Sequence, residues 1–440
     1  MVLRKVKNEK RRVVVTGVGP MCSLGIGREE TWNSILSKNI NLLKQPYFIN
    51  NEKWGEFYLH KIRNFNIDKF KIPEQNLKFI KEIRNVKKED TDLYYFLAVI
   101  NLALIDSGLK YNFDKNDIGV MITQENPGVE IFFEELIESA YDILKTNKSM
   151  TRLQLAKALY GKECESRGYN LQSFSYLFSV AKVFGLHGYS LFINNACASG
   201  LFAIESAARQ IISGMSPAVI VAAIDDPTKI YKYLWFKRHG LYAEDGITRP
   251  FSGDSSGIVF GDGGAALVLE DFEHAKKRGA EIYGEYLGGG FSLEGWKITV
   301  PDITDDFYTR SFRKALETSG VGVEDIDFVN PHGVGMRVTD IYEARTIKNI
   351  FGQRKPFISA FKPLVGHNLG GSALLETVIS LISMKNGVIP GTLNCKGVKE
   401  NFDIDLVLEN KQMKFKTIAK MACGFAGFSG VTIFQKIKGN

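Results

Sequence analysis

An internal echo narrows the folds open to this chain more than anything else in it. Ala103-Leu104-Ile105-Asp106-Ser107-Gly108, followed by Asp117-Ile118-Gly119-Val120, resembles Ala315-Leu316-Glu317-Thr318-Ser319-Gly320, followed by Asp325-Ile326-Asp327-Phe328. Both read as a helix, a glycine stop, a loop with an acidic residue and a strand. A second echo sets Gly200 and Glu205 of one amphipathic stretch beside Gly371 and Glu376 of another. Each stretch follows a candidate reactive residue, Cys197 in the first case and His367 in the second. Together, and in the same order, the echoes predict a duplicated fold whose halves, 11–272 and 273–440, meet near residue 273.

The elements between these landmarks alternate, as in an α/β protein. Val13 to Val18 reads as a strand, and Tyr94 to Ser107 as a helix stopped by Gly108. Ile118 to Ile122, Val219 to Ile224 and Ala265 to Leu269 are short apolar runs of the kind that buried strands show. No proline-rich or low-complexity linker divides the chain, so one body is expected. The polar, helix-forming stretch 129–174 carries no catalytic residue types and reads as a cap or a dimer contact. Arg4, Lys5, Lys7, Lys10, Arg11 and Arg12 precede Val13-Val14-Val15, but Thr16, Gly17, Gly19 and Pro20 break the apolar run at once. That pattern is a buried strand behind a basic tail rather than a targeting signal.

Composition removes several function classes. With 45% apolar and 24% charged residues among 440, the chain is globular, not disordered, collagen-like or a coiled-coil rod. No segment approaches the ~20 uninterrupted apolar residues of a spanning helix. The net charge of +7 is too mild and too diffuse to argue for nucleic acid. Five scattered cysteines, odd in number and with no CxxC pair, argue against a disulfide framework and a structural zinc site. A reducing cytoplasm and no metal are expected.

Chemistry concentrates at three places. Asn194-Asn195-Ala196-Cys197-Ala198-Ser199-Gly200 has an apolar approach, small residues and a helix pattern behind it. This puts Cys197 at a strand-to-helix turn, where the helix amino terminus favours the thiolate. A buried packing cysteine is the plain alternative. His332 ends an apolar run in Val329-Asn330-Pro331-His332-Gly333, and His367 sits in Val365-Gly366-His367-Asn368 at another junction. Either could be structural taken alone. His60, His187, His239 and His274 lack such settings and read as surface or packing residues.

Cys197, His332, Lys362 and His367, in that order and spacing, resemble the active site of β-ketoacyl-acyl carrier protein synthases, condensing enzymes of the thiolase-like superfamily. Arg12 to Gly19, Arg249-Pro250-Phe251, Gly261 to Glu270 and Gly424-Phe425-Ala426-Gly427 are similar to the family's other signatures, so the likeness spans nearly the whole chain. The resemblance implies a thiolase-like duplicated fold, layered α-β-α-β-α with two mixed five-stranded sheets. It also implies a decarboxylative Claisen condensation. Cys197 would hold the acyl group, and the N–H groups of Cys197 and Phe425 would form the oxyanion hole. Neutral His332 and His367 would stabilise the enolate left when a malonyl thioester loses carbon dioxide. Lys362, with Asp340 or Glu343 nearby, would fix histidine orientation, and a salt-bridged structural lysine is the competing role. Phe425 would also gate the acyl chain, against a merely packed ring. No cofactor is implied beyond the phosphopantetheine of the partner, acyl carrier protein. The assembly would be a homodimer, or a heterodimer with a related subunit.

Departures from the family pattern surround these residues. Val334 and Met336 replace the two threonines of His-Gly-Thr-x-Thr that hold the pantetheine arm. Phe428 and Ser429 replace threonine and asparagine, and Asp262 replaces a glutamate. The resemblance therefore implies retained chemistry with an altered substrate, in fatty acid or specialised lipid or polyketide synthesis. Between Lys61 and Lys88 nine Lys or Arg face three acids, and Lys87 and Lys88 sit where the family often docks its acidic carrier; a solvated helix face reads equally well. Three rivals stay open: a silent chain-length-factor-like subunit, a Cys-His hydrolase, and a thiolase using Cys423.

Overall fold

The computed structural model describes residues 11–49, 52–84, 90–109, 117–126, 128–161, 172–227, 230–398 and 402–437. Ten strands form its frame. They are β1 (Val13–Cys22), β2 (Gly119–Thr123), β3 (Leu191–Ile193), β4 (Ala218–Asp225), β5 (Gly263–Asp271), β6 (Gly284–Leu293), β7 (Phe328–Asn330), β8 (Phe357–Ile358), β9 (Thr417–Cys423) and β10 (Phe428–Gln435). The first five lie side by side in the order β3-β2-β4-β5-β1, and the second five in the order β8-β7-β9-β10-β6. Adding five to each label of the first set gives the second. Strand directions repeat as well. β2 is parallel to β3 and β4, while β5 runs against β4 and β1. β7 is parallel to β8 and β9, while β10 runs against β9 and β6. This is the duplication that the echoes predicted, and the thiolase-like architecture of two mixed five-stranded sheets. The sheets also touch edge to edge, because Val13, Val14 and Val15 of β1 pair with Tyr286, Glu285 and Gly284 of β6.

Five helices complete the layers: α1 (Thr91–Ser107), α2 (Ser199–Ser213), α3 (Phe307–Ser319), α4 (Arg337–Phe351) and α5 (Ser372–Asn386). α1 packs on the outer face of the first sheet, α3 on that of the second with α4 beside it, and α2 and α5 lie between the sheets. The sequence explains the sandwiched pair. Every residue of α5 from Ser372 to Met384 is buried, which suits a helix apolar on all sides. Leu201, Ile204 and Ala208 of α2 share one core with Leu374, Val378 and Ile382 of α5. Close approach requires Gly200, since a Cβ there would lie 2.6 Å from the Leu374 nitrogen. Truncating a leucine in this layer costs about 2–5 kcal/mol.

The echoed motifs occupy equivalent places. α1 and α3 end on Gly108 and Gly320 in the left-handed conformation, with φ of 62° and 67°. α1 begins at Thr91, ahead of the expected Tyr94, because Asp90 caps it by accepting the Leu93 N–H at 3.0 Å. β1 outruns the expected Val18 and continues through Pro20. By then β6 has left it, and a strand paired on one side tolerates a residue without an N–H. Among the described residues of 129–174 are the helices Val129–Thr146 and Arg152–Leu159, and Phe133, Ile137, Tyr141 and Leu144 of the first are exposed. Among the described residues no helix is long and apolar enough to cross a membrane.

Candidate active site

The carboxyl ends of β7 and β9 and the turns before α2 and α5 point toward one place. There Cys197, His332, His367, Met336, Cys423 and Phe425 line a narrow cavity of about 30 Å³. Cys197 sits between β3 and α2, after Ala196 in the left-handed region (φ 50°). Ser199 ties this elbow together, accepting the Asn195 N–H at 2.7 Å and donating to the Ala196 carbonyl at 2.6 Å. Cys197 is 4% exposed. Its sulfur donates to Glu125 Oε1 at 3.4 Å. A resting thiolate, expected from the helix terminus, is not what the surroundings favour. Burial first, and then the charge of Glu125, push the thiol well above its usual range.

Both imidazoles have their Nδ1 occupied. His367 Nδ1 accepts the Leu369 N–H at 3.1 Å and faces Ser372 Oγ at 2.9 Å. His332 Nδ1 faces the Lys362 ammonium at 3.5 Å. Donors at Nδ1 fix the tautomer with the proton on Nε2. Burial, and secondly Lys362, hold both histidines well below the usual imidazole range, so they are neutral at neutral pH. The rings meet edge to face with centroids 5.4 Å apart.

Lys362 is buried beneath His332, donating to its carbonyl at 2.6 Å and to Glu376 at 2.8 Å. Glu376 also accepts from Lys420 at 2.5 Å, and Lys420 donates to the Pro331 carbonyl at 3.0 Å. Burial pushes Lys420 down to about 8. Glu343 and Asp340 hold the His332 loop by its backbone and do not touch Lys362. Glu343 accepts the His332 N–H, and the Gly333 N–H at 2.8 Å. Asp340 accepts the N–H groups of Phe251 at 2.8 Å and Gly335 at 3.2 Å, and burial pushes it up to about 8. Phe425 packs on Trp235 and Phe236, with centroids 5.5 and 5.6 Å away. Gly424 brings its loop against the elbow, because a Cβ there would lie 3.0 Å from the Cys197 nitrogen. The amides of Cys197 and Phe425 are thus neighbours.

Lys87 and Lys88 lie outside the described residues. None of His60, His187, His239 and His274 lines the cavity; His60 is buried elsewhere. Among the described residues no group of three or more His, Cys, Asp and Glu is placed to hold a metal ion. Sequence reasoning missed Glu125 and Lys420, and saw Glu376 only as half of an echo. A signal existed for each. Glu125 follows an apolar strand by two residues, as His332 does, and Lys420 is a lone charge inside Thr417-Ile418-Ala419-Lys420-Met421-Ala422-Cys423.

Residues 10–275 match the family described as "Beta-ketoacyl synthase, N-terminal domain", and residues 283–396 match "Beta-ketoacyl synthase, C-terminal domain". The chain belongs to the β-ketoacyl synthase family. At that level it is a ketosynthase-type condensing enzyme. It is 28% identical to the 3-oxoacyl-[acyl-carrier-protein] synthase 2 of Coxiella burnetii, over 98% of this chain and 99% of that one. It is 26% identical to the chloroplastic 3-oxoacyl-[acyl-carrier-protein] synthase II of Arabidopsis thaliana, over 99% of this chain and 78% of that one. Its fold is similar to the ishigamide ketosynthase/chain length factor, with a TM-score of 0.82, 24% identity and coverage of 97% and 100%. It is similar also to a type II PKS ketosynthase solved in complex with its acyl-carrier protein, with a TM-score of 0.80, 24% identity and coverage of 98% and 100%.

Within this β-ketoacyl synthase the substituted positions have definite surroundings. Val334 is fully buried in a core with Phe236 and Phe260. Met336 and Phe428 give the cavity wall apolar surface, while Thr299 and Thr339 supply it with hydroxyls that bond to no other described residue. Ser429 is bonded to Ser292 at 2.8 Å. Asp262 accepts the Ile62 N–H at 2.6 Å and the Tyr95 hydroxyl at 3.2 Å, away from the cavity.

Proposed function

We propose that this ketosynthase is a 3-oxoacyl-[acyl-carrier-protein] synthase. It loads an acyl group onto Cys197 and condenses it, with loss of carbon dioxide, with malonyl carried on acyl carrier protein. One observation carries the reading: two neutral imidazoles, each engaged at Nδ1, keep Nε2 for the cavity that also holds the sulfur. Two N–H donors on one cavity suit an enolate better than hydrolysis, which would want a single basic histidine.

In this reading the malonyl carboxylate leaves as carbon dioxide, and the electron pair of the broken bond enters an enolate held by His332 and His367. The enolate carbon attacks the acyl-Cys197 carbonyl, whose oxyanion is held by the N–H groups of Cys197 and Phe425. The C–S bond then breaks, and the thiolate takes a proton from water. Lys362 and Glu376 position His332, while Glu343 and Asp340 hold its loop. The gate is assigned to Phe425, which lines the cavity between Gly424 and Gly427.

Carrier docking is assigned to Lys87 and Lys88, and the carrier-bound ketosynthase of similar fold supports acyl carrier protein as the partner. The substrates arrive on its phosphopantetheine in the cytoplasm, and the enzyme works as a homodimer or with a related subunit. The functional halves divide at residues 272 and 273, between β5 and β6. Val334 and Met336 favour a specialised lipid or polyketide over ordinary fatty acids. Intact-mass analysis tests the reading. Acyl-carrier protein should leave an acyl adduct that Cys197→Ala abolishes, and malonyl-carrier protein should convert it to a 3-oxoacyl product. An adduct without product would turn the assignment toward a silent subunit or a hydrolase.

A further inference from the structure

The sulfur of Cys197 makes its one side-chain hydrogen bond among the described residues with Glu125, and neither imidazole bonds to it. Glu125 is not placed there by accident of a loose loop. Its carbonyl accepts the Asn194 side-chain N–H at 2.8 Å, and its own N–H reaches Asp225 Oδ2 at 3.4 Å. Asp225 is in turn held by the buried Lys232 at 2.5 Å. The duplication gives this position meaning. Glu125 stands two residues beyond β2, and His332 stands two residues beyond the equivalent β7. The two halves therefore present a proton-handling side chain from matching strand ends, the Glu125 carboxyl to the cavity-lining sulfur of Cys197 and the His332 imidazole to the cavity itself.

From this geometry we infer that Glu125 is a catalytic residue, the proton acceptor and donor for Cys197 during acyl loading. The inference rests on the proposed role of Cys197 as the acylated group. As Sγ attacks the thioester carbonyl, its proton passes to Glu125 Oε1 and a new C–S bond forms. The tetrahedral intermediate then collapses with cleavage of the carrier C–S bond, and the departing carrier thiolate takes the proton back from Glu125. No proton is left over and no further reactant is needed. A buried thiol that does not ionise at rest needs such a partner.

The charges around the pair set its working range. Glu125 faces Asp225, Lys232 and Cys197, while the thiol faces Glu125, Lys362 and Cys423. Burial first, and then Asp225, push Glu125 up to about 7. Above that pH it is ionised and accepts the proton; below it the base is lost. A general base is worth about 10²–10⁴ in rate.

Two readouts test the assignment: acyl transfer from acyl-carrier protein followed by intact mass, and alkylation of Cys197 by iodoacetamide, each from pH 5.5 to 10. In the unaltered enzyme both rates should rise through about pH 7 and level off. Glu125→Gln, with its melting curve checked, should lose that limb and load acyl groups about a hundredfold more slowly at pH 8. Glu125→Asp should recover part of the loss. Loading by Glu125→Gln as fast as or faster than the unaltered enzyme would overturn the inference, because the carboxylate would then merely suppress the thiolate. An unaltered enzyme that takes no acyl group, yet keeps the Glu125-dependent alkylation limb, would sink the condensing reading and leave the Glu125–thiol pairing standing.

Discussion

The two halves share one strand order but furnish it with different proton-handling groups. The first half brings carboxyls to the sulfur, with Glu125 against it and Asp225 behind Glu125. The second brings imidazoles backed by two buried ammonium groups, Lys362 and Lys420, around Glu376. The matched glutamates of α2 and α5 make the contrast sharper. Glu205 reaches outward to the Tyr286 hydroxyl and to Arg209 on the surface. Glu376, five residues into the equivalent motif, lies fully inside between two lysines. A duplicated scaffold thus keeps its backbone frame while the residues at its strand ends diverge, and under the proposed function one half would handle the sulfur and the other the carbonyl oxygen.

The largest test of this division separates the two half-reactions. Cys197→Ala should carry no acyl group, whereas His332→Ala and His367→Ala should load it normally and lose malonyl decarboxylation about 10²–10³-fold. Mass spectrometry and carbon dioxide release measure the two steps; histidine variants that fail to load would break the comparison. Next comes the glutamate pair. Glu376→Gln leaves two buried lysines without a counter-charge and should cost about 3–5 kcal/mol of stability in urea unfolding. Glu205→Gln, at the rim, should cost about 1 kcal/mol, and equal losses would erase the asymmetry.

A smaller effect concerns pH. Both histidines are held well below their ordinary value of 6.5, so near pH 6 the unfolded chain binds protons that the folded chain does not. Their contribution is therefore fully present above about pH 6.5 and is lost as pH falls toward the folded values. Thermal melts from pH 7.5 to 5 should fall more steeply for the unaltered protein than for a His332→Gln/His367→Gln double variant. Asp262 and Asp340, raised to about 8, act in the opposite sense in both proteins and cancel in the difference. Smallest of all, Thr339→Val should raise KM for carrier-linked substrates about threefold with kcat nearly unchanged. Such a split would mark Thr339 as a hydroxyl serving the arm in place of those absent at Val334 and Met336.

Much of the architecture was legible because it is written in local pattern. Gly108 and Gly320 stop matching helices, and Val219 to Ile224 is apolar throughout because both faces of β4 are covered. Cys197, His332 and His367 could be named from their glycine-rich junctions. Glu125, Glu376 and Lys420 could not, because their significance lies in contacts between residues far apart in sequence within each half, Glu125 with Cys197 and Glu376 with Lys420. A lysine in an apolar strand has no reading until its carboxylate arrives from a helix elsewhere in the chain. The state of the thiol was misjudged for the same reason. A helix terminus is a local feature, but it is outweighed by burial first, and then by the Glu125 carboxyl at the end of the neighbouring strand β2.

The all-buried α5 has a consequence for how the protein is made. Ribosomes release the first sheet and α2 well before α5 exists, so the apolar flank that α5 will cover stands bare during synthesis. A nascent chain in that condition is a natural client for holding chaperones. The Cys197 sulfur meanwhile has no Phe425 loop beside it, and the cavity is complete only when the last strands have emerged.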